Sequence, residues 1–136
     1  MKKITLALSL LLFISCSFEN SGVLMQNEIP QSVYTYAATH QILDEGETIV
    51  TYYDATISLS NEESAMITNK HVIYHYNGRT TKMPLQDIVS INHTEETLVG
   101  DIITVESLDG NMMKIEIAPL NGGEIFLSVL RSKTNM

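Results

Sequence analysis

The chain is poor in cysteine, tryptophan, proline and basic residues. It has one cysteine, no tryptophan and three prolines, with eight Lys and Arg against sixteen Asp and Glu. Each scarcity excludes something. The one cysteine, Cys16, lies near the start. The rest of the chain therefore has no thiol, which excludes disulfides, thiol catalysis and thiolate metal sites from the domain. The domain must stand on its hydrophobic core. The basic residues beyond the first three positions are Lys70, Arg79, Lys82, Lys114, Arg131 and Lys133, which form no run or stripe. With a formal charge of −8, nucleic-acid binding is disfavoured and not expected, because it needs phosphate neutralisation. Docking on anionic headgroups is disfavoured on the same ground. Nor is there a long apolar run. The longest, residues 4–14, is shorter than the ~20 residues of a spanning helix.

That short run is instead the hydrophobic part of a targeting segment. Lys2 and Lys3 precede it and Ser15-Cys16 ends it. The sequence Phe13-Ile14-Ser15-Cys16 resembles the lipobox of bacterial lipoprotein signals, with Phe13 in place of the usual aliphatic residue. The resemblance implies cleavage before Cys16, a thioether-linked diacylglycerol on its sulfur and acylation of its amine. Residues 1–15 are then a signal peptide, and the acyl chains attach the protein to a membrane outside the cytoplasm. The anchor would sit in the outer leaflet of the plasma membrane, or in the inner leaflet of an outer membrane if the cell has two. Removal of Lys2 and Lys3 takes the charge from −8 to −10. Residues 16–27 read as a lipidated tether and residues 28–136 as one domain.

The domain opens on an ambiguous segment, residues 28–43. Pro30, Val33 and Ala37 suit a short helix, although Val33-Tyr34-Thr35-Tyr36 is also β-prone. From Thr48 the signals alternate and predict seven strands over residues 48–59, 65–68, 72–76, 80–85, 88–93, 101–108 and 112–118. Asn77-Gly78 is the strongest hairpin signal, since a type I′ turn needs positive φ at both central residues. Asp109-Gly110 marks another turn. After Pro119 the period changes. Ile125, Phe126, Val129 and Leu130 recur at helical spacing over residues 124–133, with Glu124 at the start and Arg131 and Lys133 at the end.

Seven strands and a terminal helix are similar to the pleckstrin-homology-like superfold, a partly open barrel of antiparallel strands capped by a C-terminal α-helix. Local pieces resemble bacterial PH-like and GRAM-like domains: Leu43-Asp44-Glu45-Gly46-Glu47, Thr68-Asn69-Lys70-His71-Val72-Ile73-Tyr74, Pro84-Leu85-Gln86-Asp87-Ile88-Val89-Ser90-Ile91, and Leu108-Asp109-Gly110. The resemblance implies the fold and little about activity, because this superfold hosts unrelated binding roles. Phosphoinositide-binding members cluster Lys and Arg at the first hairpin. Here Ser60-Asn61-Glu62-Glu63 stands in that place, so no specific phosphoinositide binding is expected.

Sites for chemistry are scarce. His71 and His75 would be ~13 Å apart along a strand, too far for one metal ion, and read as polar residues on an outer sheet face. Glu62-Glu63 and Glu95-Glu96 lie in predicted loops without the ligand alternation of a calcium site. There is no nucleophile elbow. Neither metal nor cofactor is expected, and no enzyme activity. Tyr52, Tyr53, Tyr74 and Tyr76 are the candidates for partner recognition, since tyrosines on a sheet face can line an interface. Their bland alternative is half-burial in the sheet. The expectation is a binding module for a protein or peptide at the cell envelope; the alternative is a carrier of a small apolar ligand in the barrel interior.

Overall fold

The computed structural model describes residues 22–136. The expected signal segment and Cys16 lie outside the described residues. Eight antiparallel strands form two sheets, followed by a helix. The first sheet has strands β1 (Val23–Met25), β2 (Ile49–Asp54), β3 (Glu63–Thr68), β4 (His71–Tyr76) and β5 (Arg79–Pro84), in that order. The second has β6 (Ile88–Glu96), β7 (Gly100–Ser107) and β8 (Met112–Ile117). Helix α1 (Gln31–Thr39) joins β1 to β2, and α2 (Gly123–Thr134) follows β8. No described helix is long and apolar enough to cross a membrane.

The hairpin around Asn77-Gly78 forms as the sequence predicts, with φ of 49° and 75°. Three boundaries differ. Val23–Met25, inside the predicted tether, pairs with Tyr53, Tyr52 and Thr51 as β1. The predicted strand over residues 48–59 stops at Asp54, because that carboxylate turns the chain. Its Oδ1 accepts from the Thr56 amide at 2.8 Å and its Oδ2 from the Asn61 amide at 2.8 Å. The predicted loop over residues 94–100 shrinks to three residues, since β6 stays paired with β7 through Glu96.

The main core lies between the sheets. Ile67 and Val72 from the first sheet meet Ile103, Val105, Ile115 and Ile117 from the second, and α2 adds Phe126, Leu127 and Leu130. Phe126 and Leu130 are fully buried, as their spacing predicts. The helix sits close because residue 123 is glycine. A Cβ there would lie 2.1 Å from Asp101 Oδ2. That Asp101 carboxylate is held by His93 Nε2 at 2.6 Å.

A second, smaller core covers the opposite face of the first sheet. Val33 and Ala37 of α1, one turn apart, pack with Ile42 on Leu24, Tyr52, Met66 and Ile73. Helix α1 starts after Pro30, which fixes an extended backbone there. It ends in a Schellman motif. Gln41 takes a left-handed φ of 52°. The Ile42 amide donates to Ala37 O at 2.9 Å and the Gln41 amide to Ala38 O at 3.2 Å. The motif drives Ile42 into the second core.

Candidate functional site

Helix α1 covers only the middle of that outer face, and polar groups gather at each end. The pairing of β2 to β5 places Asp54, Ser64, His75 and Thr80 in one cross-strand row, followed by Tyr52, Met66, Ile73 and Lys82 in the next. The second row lies in the apolar core, apart from Lys82. In the first, Asp54, Ser64 and His75 are buried.

His75 does not lie on an exposed face, as the sequence reading expected. It is 1% exposed, because α1 closes over it. Its Nε2 meets the Tyr36 hydroxyl at 3.2 Å and its Nδ1 meets Thr80 Oγ1 at 2.9 Å. His40, one turn after Tyr36, stacks on the Tyr36 ring with centroids 3.9 Å apart. The His40 and His75 rings stand edge to face at 5.9 Å. Burial, helped by His40, pushes the His75 pKa below its ordinary 6.5. Burial and the charges of Glu62 and Asp54 raise that of Tyr36, so the phenol keeps its proton. The Ser64 hydroxyl in the same row is buried and has no hydrogen-bond partner among the described residues.

Beside Tyr36 and His40 lies a groove of about 460 Å3, lined also by Glu62, Glu63 and Tyr76, with Thr56, Asn77 and Gly78 at its rim. Its lining residues include two acidic ones and no Lys or Arg. Glu63 accepts a hydrogen bond from the Tyr74 hydroxyl. Burial and that carboxylate together raise the Tyr74 pKa. A concave surface of aromatic rings and carboxylates is chemically suited to a cation.

The four tyrosines thus divide. Tyr76 is 56% exposed and lines the groove. Tyr74 is partly buried against the main core. Tyr52 and Tyr53, at 2% and 4% exposure, are core residues and present no surface to a partner. The reason is the double cover of β2. Tyr53 points into the inter-sheet core and donates no surface; its hydroxyl accepts from the Ala118 amide at 3.1 Å. Tyr52 points under α1 and its hydroxyl donates to Asn61 Oδ1 at 2.6 Å.

The other polar end of the face is self-contained. The Glu47 carboxylate is buried, with Oε1 accepting from Thr68 Oγ1 at 2.5 Å and lying 2.7 Å from His71 Nδ1. Its Oε2 accepts from the Asp44 amide at 2.8 Å. These hydrogen bonds outweigh the opposing effect of burial and leave its pKa lowered. Asp44, Glu47 and His71 converge closely enough to hold a metal ion. The Lys82 ammonium already serves them, at 2.7 Å from Asp44 and 3.8 Å from Glu47. The donor set therefore reads as an internal ion-pair network. A wider groove of about 640 Å3 adjoins it, between residues 69–71, residues 84–88 and the end of α2. Two of its polar side chains face inward, since Lys70 donates to Glu45 O at 3.2 Å and His71 meets Glu47.

Sequence reading missed Tyr36 and His40 as site residues and placed Glu62 and Glu63 in a loop without a site. The i, i+4 spacing of Tyr36 and His40 on α1 is the one signal that pairs them. No protein family, curated protein or solved structure matches this chain.

Proposed function

We propose that this chain is a lipid-anchored, extracytoplasmic binding module of PH-like architecture, whose groove beside α1 takes a basic side chain of a protein or peptide partner. The architectural part draws support from strand order. Four consecutive strands, β2 to β5, form one sheet with β1 added at its edge; three more form the second; an amphipathic helix then fills the gap between them. The anchor draws support from Cys16 at the end of the residue 4–14 run.

One observation carries the binding reading, the groove of Tyr36, His40 and Tyr76 walled by Glu62 and Glu63. A guanidinium or ammonium over a tyrosine face gains ~0.5–2 kcal/mol, more as it is desolvated. The Glu62 carboxylate adds attraction and rejects acidic competitors. The acidic surface of the chain would steer a basic partner towards it. A small apolar ligand in the interior has less support, since Phe126, Leu130, Ile103 and Ile115 fill the space between the sheets.

Two experiments test the two parts. Changing Cys16 to Ala should move the protein from the membrane fraction to a soluble or unprocessed form; unchanged detergent partitioning would defeat the anchor. A photoreactive amino acid in place of Tyr76, introduced in the native cell, should crosslink to a polypeptide more strongly than the same group in place of the exposed Leu108. Equal crosslinking at both positions, or none at Tyr76, would overturn the assignment of the groove.

A further inference from the structure

The described chain begins at Gly22, and the place where it joins the domain is unusual. The Val23 amide donates to Asn121 O at 2.8 Å. Gly22, Ile57, Leu59, Ala118 and Asn121 line one cleft of about 400 Å3. Two loops therefore flank the incoming chain, residues 55–61 after β2 and residues 118–122 after β8.

Both loops are uncharged. Residues 55–61 read Ala-Thr-Ile-Ser-Leu-Ser-Asn and residues 118–122 read Ala-Pro-Leu-Asn-Gly, in a chain where 18% of residues are charged. Both also hold large aliphatic side chains out into solvent. Ile57 is 105% exposed and Leu120 103%. The backbone is strained at the same places. Leu59 has φ of 52° and Leu120 of 66°, a left-handed conformation that is unfavourable for a residue with a Cβ. Such strain persists where surrounding contacts hold it, and it points to a use for the presented side chains. The β6–β7 tip, with Leu98 at 92% exposure, reaches the same end, because the backbone at Gly100 abuts Pro119. Glu95 and Glu96 precede that tip, so the two uncharged loops are the apolar part of this end.

The length of chain outside the domain says what covers them. Gly22 lies six residues after Cys16, a span that fully extended reaches about 20 Å. A bilayer holding acyl chains on Cys16 is therefore never far from these loops. We propose that residues 55–61 and 118–122 form the face by which the anchored domain rests on its own membrane, with Ile57 and Leu120 inserted at the boundary between headgroups and acyl chains. This rests on the anchor at Cys16 proposed above. Contact is apolar, not electrostatic. Without Lys2 and Lys3 the anchored chain carries −10, so anionic lipid would repel it and a zwitterionic bilayer suffices. An apolar group at such a surface settles ~5–10 Å into the boundary. Docking in this way would fix the domain's orientation and set the hairpin turn at Asn77-Gly78, on the same side of the first sheet as residues 55–61, close to the bilayer.

The absence of other cysteines makes the test clean. In the acylated chain a cysteine introduced at one position is the sole free thiol. The full lipidated chain is prepared as Ile57→Cys, Leu120→Cys and Leu108→Cys, each labelled with an environment-sensitive fluorophore. Leu108 is exposed and lies beyond the far end of β7, seven residues of strand from Gly100. Each protein is placed in phosphatidylcholine vesicles carrying lipid-attached nitroxide quenchers. The labels at 57 and 120 should be quenched several-fold more than that at 108. Flotation with vesicles but equal quenching at all three positions would overturn the docking and leave the anchor intact. Failure to float, with mass spectrometry finding no acyl chain on Cys16, would overturn the anchor and the docking together.

Discussion

The two sheets are built from similar strands and buried differently. In the three-stranded sheet, β8 alternates strictly between exposed and buried residues, with Met113, Ile115 and Ile117 facing inward. Lys114 and Glu116 pair across its open face. In the five-stranded sheet, β3 is buried from Ser64 through Thr68, because the second sheet covers one face and α1 the other. The first arrangement makes a wall. The second makes a wall with a partial roof, and the groove forms where the roof ends. Tyr36 and His40 of α1 give that groove its aromatic wall. The difference teaches that the site here owes its existence to a short helix outside the seven-strand framework.

The comparison can be broken first on the side both sheets share. Leu130 is fully buried in the main core, and Leu130→Ala should cost ~2–5 kcal/mol. Urea unfolding measures it; a variant as stable as the parent would mean that α2 is not docked. The roof should be easier to lift. Ala37→Leu overpacks the second core, where Ala37 is 1% exposed, at a cost of ~1–3 kcal/mol. Hydrogen exchange should then rise in α1 while β7 and β8 stay protected. Uniform loss of protection would show that the helix and sheets form one cooperative unit.

Acid should weaken the same roofed face. The folded His75 pKa is depressed below 6.5, so the unfolded chain binds the proton first as pH falls. Stability from a neutral buried His75 is therefore full above 6.5 and declines below it, towards the depressed value. Glu47 acts lower. Its pKa is lowered from 4.5, so its contribution is full above 4.5 and is lost as pH falls further. Unfolding free energy followed between pH 7 and 5 should fall in the parent and flatten in His75→Phe; parallel curves would contradict the role of His75. The smallest effect belongs to the open wall. Lys114 and Glu116 are well exposed, and Lys114→Ala should leave the unfolding midpoint within measurement scatter.

Much of the framework is legible in the sequence. Asn77-Gly78 specifies its hairpin through φ, and the spacing of Phe126 and Leu130 specifies the buried face of α2. The double cover is less so. Adjacent Tyr52 and Tyr53 read as surface tyrosines if one face of the strand is assumed open, yet each points into a different core. The contiguous apolar run Ala65-Met66-Ile67 was the available sign of burial on both faces. β1 left almost no trace, since a three-residue strand owes its conformation to pairing with β2 rather than to its own pattern. The groove was invisible for a related reason. Its residues come from α1, the 55–62 loop, the start of β3 and the β4–β5 hairpin, brought together only when α1 seats on the sheet.

The groove beside α1 is proposed to take a basic side chain of a partner. The direct measurement is a calorimetric titration of the lipidated chain, in neutral lipid nanodiscs, with an arginine-bearing peptide and its glutamate-substituted counterpart. The arginine peptide should bind saturably, more weakly as salt rises, and about tenfold or more weakly to Tyr76→Ala and to Glu62→Gln, a loss of ~1.4 kcal/mol. Equal binding of the two peptides, or binding unchanged in both variants, would contradict it.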